Sequence, residues 1–71
     1  MVVLDVPASE WARIVRAEFQ EMPGLTLTRE QIERLWGLDE HTCDEVLADL
    51  VARGSLVRHA DGRYARPHEQ L

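Results

Sequence analysis

The residues able to do chemistry in this chain are few, and their spacing favours contact over catalysis. His41, Asp44 and Glu45 fall within one helical turn. His41 and Glu45 are close enough there to share a cation, but one histidine with solvated carboxylates is a poor ligand set without further donors. His59 and His68 lie too far along the chain to be assigned as partners. Cys43, the lone cysteine, falls on an apolar helical stripe. That is the place of a small buried side chain, whereas a reactive thiol needs a polar, partly exposed setting. No serine, cysteine or histidine stands grouped with a base, and there is no glycine-rich phosphate loop. A chain of 71 residues also leaves little room for a catalytic cleft. The expectation is a protein that is not an enzyme and has neither a metal site nor a cofactor.

What remains is charge and its placement. The chain carries a net charge of −5, with 8 basic residues, all arginine, against 13 acidic ones, and an acidic domain does not gather phosphate backbones non-specifically. At 45% hydrophobic and 30% charged the composition is that of an ordinary globular protein, and the length allows one domain with a marginal core. The apolar start at Met1 to Leu4 is broken by Asp5 and Pro7 with no basic flank before it, so it reads as neither a signal peptide nor a membrane span. A cytoplasmic protein is expected.

The elements that position these residues follow from periodicity and capping. Residues 1–8 read as a lead-in. From Ser9, read as an N-cap, Trp11, Ile14, Val15, Phe19 and Met22 recur at helical steps, which predicts an amphipathic first helix that Pro23-Gly24 ends. Leu25-Thr26-Leu27 alternates as a very short strand would. Thr28 and Gln31 have the spacing of a capping box, with Ile32, Leu35 and Trp36 on the stripe behind them. After the turn Trp36-Gly37-Leu38-Asp39, Asp39 serves as the next N-cap. Cys43, Val46, Leu47, Leu50 and Val51 follow at steps of three and four, and Gly54 supplies the C-terminal cap. Asp61-Gly62 then marks a hairpin between short β-compatible runs. With those two residues in the loop, His59 lies opposite Tyr64 and Arg58 opposite Ala65, which puts Arg58 and Arg63 on one face. The expected core is Ile14, Val15, Phe19, Leu27, Ile32, Leu35, Cys43, Val46, Leu47, Leu50, Leu56, Val57 and Tyr64.

The order helix, short strand, helix, helix, hairpin resembles the winged helix-turn-helix family. The likeness covers residues 9–66, with 67–71 left as a polar tail. It is carried by Leu27-Thr28-Arg29-Glu30-Gln31-Ile32, by Gly37-Leu38-Asp39-Glu40-His41-Thr42-Cys43, by Val46-Leu47 with Leu50 and Gly54, and by Asp61-Gly62-Arg63-Tyr64. The fold implied is mainly α with a small β-hairpin, a three-helix core plus a C-terminal wing. Members of the family use the third helix to enter the major groove and the wing to touch the backbone or minor groove. The resemblance therefore implies a small bacterial DNA-binding protein that regulates transcription and contacts double-stranded DNA.

The charges qualify that implication. Residues 39–53 hold five acids and one base, and Asp44, Glu45 and Asp49 lie on the side that would meet phosphates, where carboxylates are repelled. Arg58, Arg63 and Arg66 belong to the wing and its tail. The DNA-binding set expected is thus His41 and Thr42 at base edges, Glu45 towards a cytosine amino group, and Arg58, Arg63 and Arg66 on the backbone. Binding of this kind would be weak and sequence-dependent, and would call for a homodimer. The competing expectation is a protein-interaction module, in which Asp44, Glu45 and Asp49 dock on a basic partner and Trp11 provides an apolar anchor.

Overall fold

The computed structural model describes residues 6–67. Three helices and three short strands follow in the order α1 (Ala8–Glu21), β1 (Thr26–Thr28), α2 (Arg29–Trp36), α3 (Glu40–Ala52), β2 (Val57–Arg58) and β3 (Arg63–Ala65). The strands form one antiparallel sheet in the order β1-β3-β2. The fold is mainly helical with a small sheet, as expected, and is compatible with the winged-helix layout.

Capping explains where α2 and α3 begin. The Thr28 hydroxyl accepts from the Gln31 amide at 3.1 Å while the Gln31 side chain accepts from the Thr28 amide at 2.8 Å, a complete capping box. Asp39 Oδ1 accepts from the Thr42 amide at 2.7 Å, and those hydrogen bonds from Thr42 hold the Asp39 carboxyl below its ordinary pKa. Helix α1 departs from expectation. It starts one residue before Ser9, its N-cap position is Pro7, and no side chain caps it. Proline's fixed φ suits a helix entry even without a capping oxygen, and the amides of Glu10 and Trp11 bond to the Pro7 carbonyl.

The helix ends are closed by backbone bonds. Gly37, at φ +64°, lets the Leu38 amide reach the Glu33 carbonyl at 2.9 Å. The chain thereby turns into α3 through a left-handed residue that a side chain would strain. Gly54 caps α3 as the sequence indicates, with the Ser55 amide on the Leu50 carbonyl at 2.8 Å and the Gly54 amide on Val51 at 3.0 Å.

The core fills the angle between the helices. Ala12, Val15 and Phe19 of α1 meet Ile32 of α2 and Cys43, Val46, Leu47 and Leu50 of α3, closed by Leu38 and Leu56 from the connections. Trp11, Trp36, Leu27 and Tyr64 are partly buried against it. Three expected core residues lie outside: Ile14 is 41% exposed, Leu35 60% and Val57 36%. Each helix here has neighbours on one side only, so the buried stripe is narrower than the apolar stripe in the sequence. Small and connecting residues, Ala12, Leu38 and Ala65, take up the burial instead.

The hairpin register is one residue off the expectation. Val57 faces Ala65 and Arg58 faces Tyr64, while the His59 amide bonds to the Arg63 carbonyl at 2.8 Å and the Gly62 amide to the His59 carbonyl at 2.9 Å. The loop is therefore Ala60-Asp61-Gly62. A two-residue turn of the expected kind needs positive φ at both central positions, and in the described residues only glycines adopt it. Asp61 keeps a negative φ, its carboxylate accepts from the Arg63 amide at 3.1 Å, and Gly62 at φ +88° makes the return. Arg58 and Arg63 thus point to opposite faces of the sheet.

Candidate functional site

The surface on which the sequence places the chemistry is built by α2, α3 and the hairpin. Its organiser is a residue outside the expected set, Arg29 at the first position of α2. One guanidinium nitrogen lies 2.6 Å from Asp44 Oδ1 and donates to the Glu40 carbonyl at 3.0 Å. Nε lies 3.3 Å from Glu33 Oε2, close enough for Coulomb attraction but without a hydrogen bond. A single side chain therefore ties the start of α2 to the first turn and a half of α3, and Asp44 is turned towards α2 as its partner. Only the i to i+4 relation of Arg29 to Glu33 was readable beforehand. The reach to Asp44 exists only once the helices cross.

Two further carboxylates of α3 are similarly engaged. Glu45 Oε1 lies 3.0 Å from His41 Nε2, one turn away, and Asp49 Oδ1 accepts from Arg53 Nε at 2.9 Å. His41 and Glu45 are thus brought together as their spacing suggests, both exposed. Among the described residues no group of three or more His, Cys, Asp or Glu side chains could hold a metal ion. Thr42 is half-buried and its amide belongs to the Asp39 cap. The helical ridge that stands furthest from the core reads His41, Glu45, Ala48 and Ala52, at steps of four, three and four, and all four are exposed. The ridge itself presents one carboxylate, with Asp44 and Asp49 on its flanks.

The three arginines assigned to the wing separate. Arg58 and Arg63 are exposed on the hairpin, with Arg63 Nε 3.8 Å from Asp61. Arg66 leaves them: its Nη1 donates to the carbonyl of Gln20, at the end of α1, at 3.2 Å. Trp11 is half-buried on the core, so of the apolar side chains on α1 it is Ile14, one turn on, that offers exposed surface. Cys43 is fully buried and burial pushes its thiol up, an effect that Arg29 opposes only in part. His68 lies outside the described residues. No described helix is long and apolar enough to cross a membrane.

A feature that the sequence did not disclose lies along α1. An open groove of about 480 Å³ between α1 and the end of α3 is lined by Arg13, Arg16, Asp49 and Arg53. It continues past Arg16 and Ser55 into a hollow of about 370 Å³ lined by Gln20 and Arg66. Arg13 and Arg16 share a face of α1 at a spacing of three, but only packing brings Arg53 and Arg66 beside them.

Comparison of the chain with protein-family models, with curated proteins and with solved structures finds no match.

Proposed function

We propose that this domain is a winged-helix DNA-binding module that regulates transcription, and that the wing rather than α3 leads its contact with the backbone of duplex DNA. The observation that carries the reading is the separation of charge along the helix-helix-hairpin unit. Arg58 and Arg63 are exposed on the hairpin, whereas residues 39–53 carry five acids against one base. Phosphates are attracted to the hairpin, whose two arginines flank it on opposite faces, and repelled by the helix, within a Debye length of about 8 Å at physiological salt. A single module of this kind binds weakly, so useful affinity calls for sequence-specific contacts from His41 and Thr42 and for a second copy of the chain. Such a regulator works in the cytoplasm of a bacterial cell.

Titration with random-sequence duplex DNA at low and at near-physiological salt tests the reading. The expected dissociation constant at physiological salt is no tighter than about 10⁻⁴ M, the weak end of non-specific binding, with measurable binding at low salt. Micromolar binding to random duplexes at physiological salt would show that the acidic helix is no barrier. Absence of binding at both salts would sink the DNA reading.

A second reading is favoured by one observation, the exposure of Glu40 and Glu45 on α3. In it the acidic helix docks on a basic protein surface, and α1 supplies an apolar anchor at Ile14 and the outer edge of Trp11. Asp44 and Asp49 enter that contact only by giving up Arg29 and Arg53, which puts most of the weight on Glu40 and on Glu45, whose one partner is His41 among the described residues.

A further inference from the structure

Four of the eight arginines line a groove of two adjoining hollows on the flank of α1, which share Arg16 and Ser55 and contain the single carboxylate of Asp49. On the α1 side Ser9, Arg13, Arg16 and Gln20 recur at about one per helical turn, so the groove runs for roughly 16 Å along the helix at 1.5 Å per residue. On the other side stand Arg53, Gly54 and Ser55 at the end of α3, and Arg66 beyond β3.

Three of the arginines are held in place. Arg13 Nη1 is 3.3 Å from Glu10, Arg53 Nε is on Asp49, and Arg66 Nη1 is on the Gln20 carbonyl. Each contact uses one of five guanidinium donors, so the remaining N–H groups are left for a ligand. Arg16, exposed at the junction of the two hollows, has no ion-pair or hydrogen-bond partner among the described residues.

We infer that this groove is a second contact surface for a phosphodiester strand of duplex DNA, with Arg13, Arg16, Arg53 and Arg66 donating to successive phosphates. The inference rests on the DNA reading above and deepens it. Guanidinium forks match phosphate oxygens in geometry, and a track about three helical turns long spans several phosphates, which lie about 3.4 Å apart along the axis on one strand. An acidic peptide is a poorer fit, because the groove is open along its length and only Ala12, Leu50 and Pro67 give it apolar floor, with no closed hollow to seat a side chain. Among the described residues no aromatic ring lines it, so single strands find no stacking platform there. Contact there is read from the backbone and is blind to sequence.

The test is the salt dependence of binding to a random 20-base-pair duplex at low ionic strength, with the whole chain, for wild type, Arg16→Ala, Arg16→Glu, Arg16→Lys and the Arg16→Ala/Arg66→Ala pair. Arg16→Ala is expected to weaken binding several-fold and make the slope of log affinity against log salt shallower by about one, and the pair by about two. Arg16→Glu is expected to weaken binding further, and Arg16→Lys to restore most of the affinity. Arg16 has no ion pair or hydrogen bond to lose among the described residues, so its variants should melt as wild type does, which keeps the test sound even if the pair is destabilised. Binding that is unchanged in every Arg16 variant overturns the groove and leaves the DNA reading standing. A wild type that binds no duplex, but binds a polyglutamate peptide in an Arg16-dependent way, overturns both and makes the groove a seat for acidic protein. No binding to either probe also overturns both.

Discussion

Single residues set the local geometry through hydrogen bonds that have measurable titration consequences. Asp39 accepts from Thr42 at the start of α3, and its carboxyl is held below the ordinary carboxylate value by those bonds. A group whose folded pKa is depressed stabilises the fold above its unfolded pKa of about 4 and loses that contribution as pH falls through the folded pKa. The melting temperature of the wild type is therefore expected to fall on acidification below about pH 4, and Asp39→Ala should lower it at neutral pH while flattening that acid limb. Equal acid sensitivity in wild type and Asp39→Ala would place the titrating group elsewhere. Both Asp39 and the Thr28 capping box were legible in the sequence, because a cap needs only a side chain and the next three residues. Arg29 was not, since its partner Asp44 is supplied by another helix.

At the scale of elements, the helices were legible and their exact burial was not. Periodicity and caps located α2 and α3, and the turn between them, to within a residue. The same periodicity put Ile14, Leu35 and Val57 inside, and they are exposed, because a stripe says which side is apolar but not how much of it a neighbour covers. The hairpin was legible from Asp61-Gly62, yet its register depended on Asp61 refusing a positive φ. Helix α3 is the element on which the others close. Leu47 is 4% exposed and sits in the central cluster. Leu47→Ala is expected to cost about 2 to 5 kcal/mol, enough to unfold much of so small a domain. An unchanged melting temperature would contradict its place in the core.

For the molecule as a whole, the question is where a net charge of −5 leaves room for an anion. The arginines of the hairpin and of the α1 groove are kept apart from the α3 ridge, where Glu45 stands beside His41. If the wing meets DNA, Arg63→Ala should lower affinity for all duplexes and reduce the salt slope by about one, while Glu45→Lys should tighten non-specific binding. Glu45 is the position for charge reversal because it holds only His41, whereas reversing Asp44 would also break the Arg29 clamp. Should Arg63→Ala leave affinity and slope untouched, the wing-led model is wrong. The candidate site was half legible on this scale: the exposed hairpin arginines and the acidic helix could be read along the chain. The groove could not, because it is a product of packing between α1, the end of α3 and the residue that follows β3.

The middle place of β3 in the sheet has a mechanical meaning. Arg63 is the register partner of Thr28 on β1, and Thr28 is also the N-cap of α2. The next residue, Arg29, grips Asp44 and the Glu40 carbonyl of α3. Hairpin, strand, cap and clamp are links in series. The base of the hairpin is thus anchored like the root of a lever, with Ala60, Asp61 and Gly62 at its tip. A load taken at Arg63 is handed, through two adjacent residues, to the start of the acidic helix.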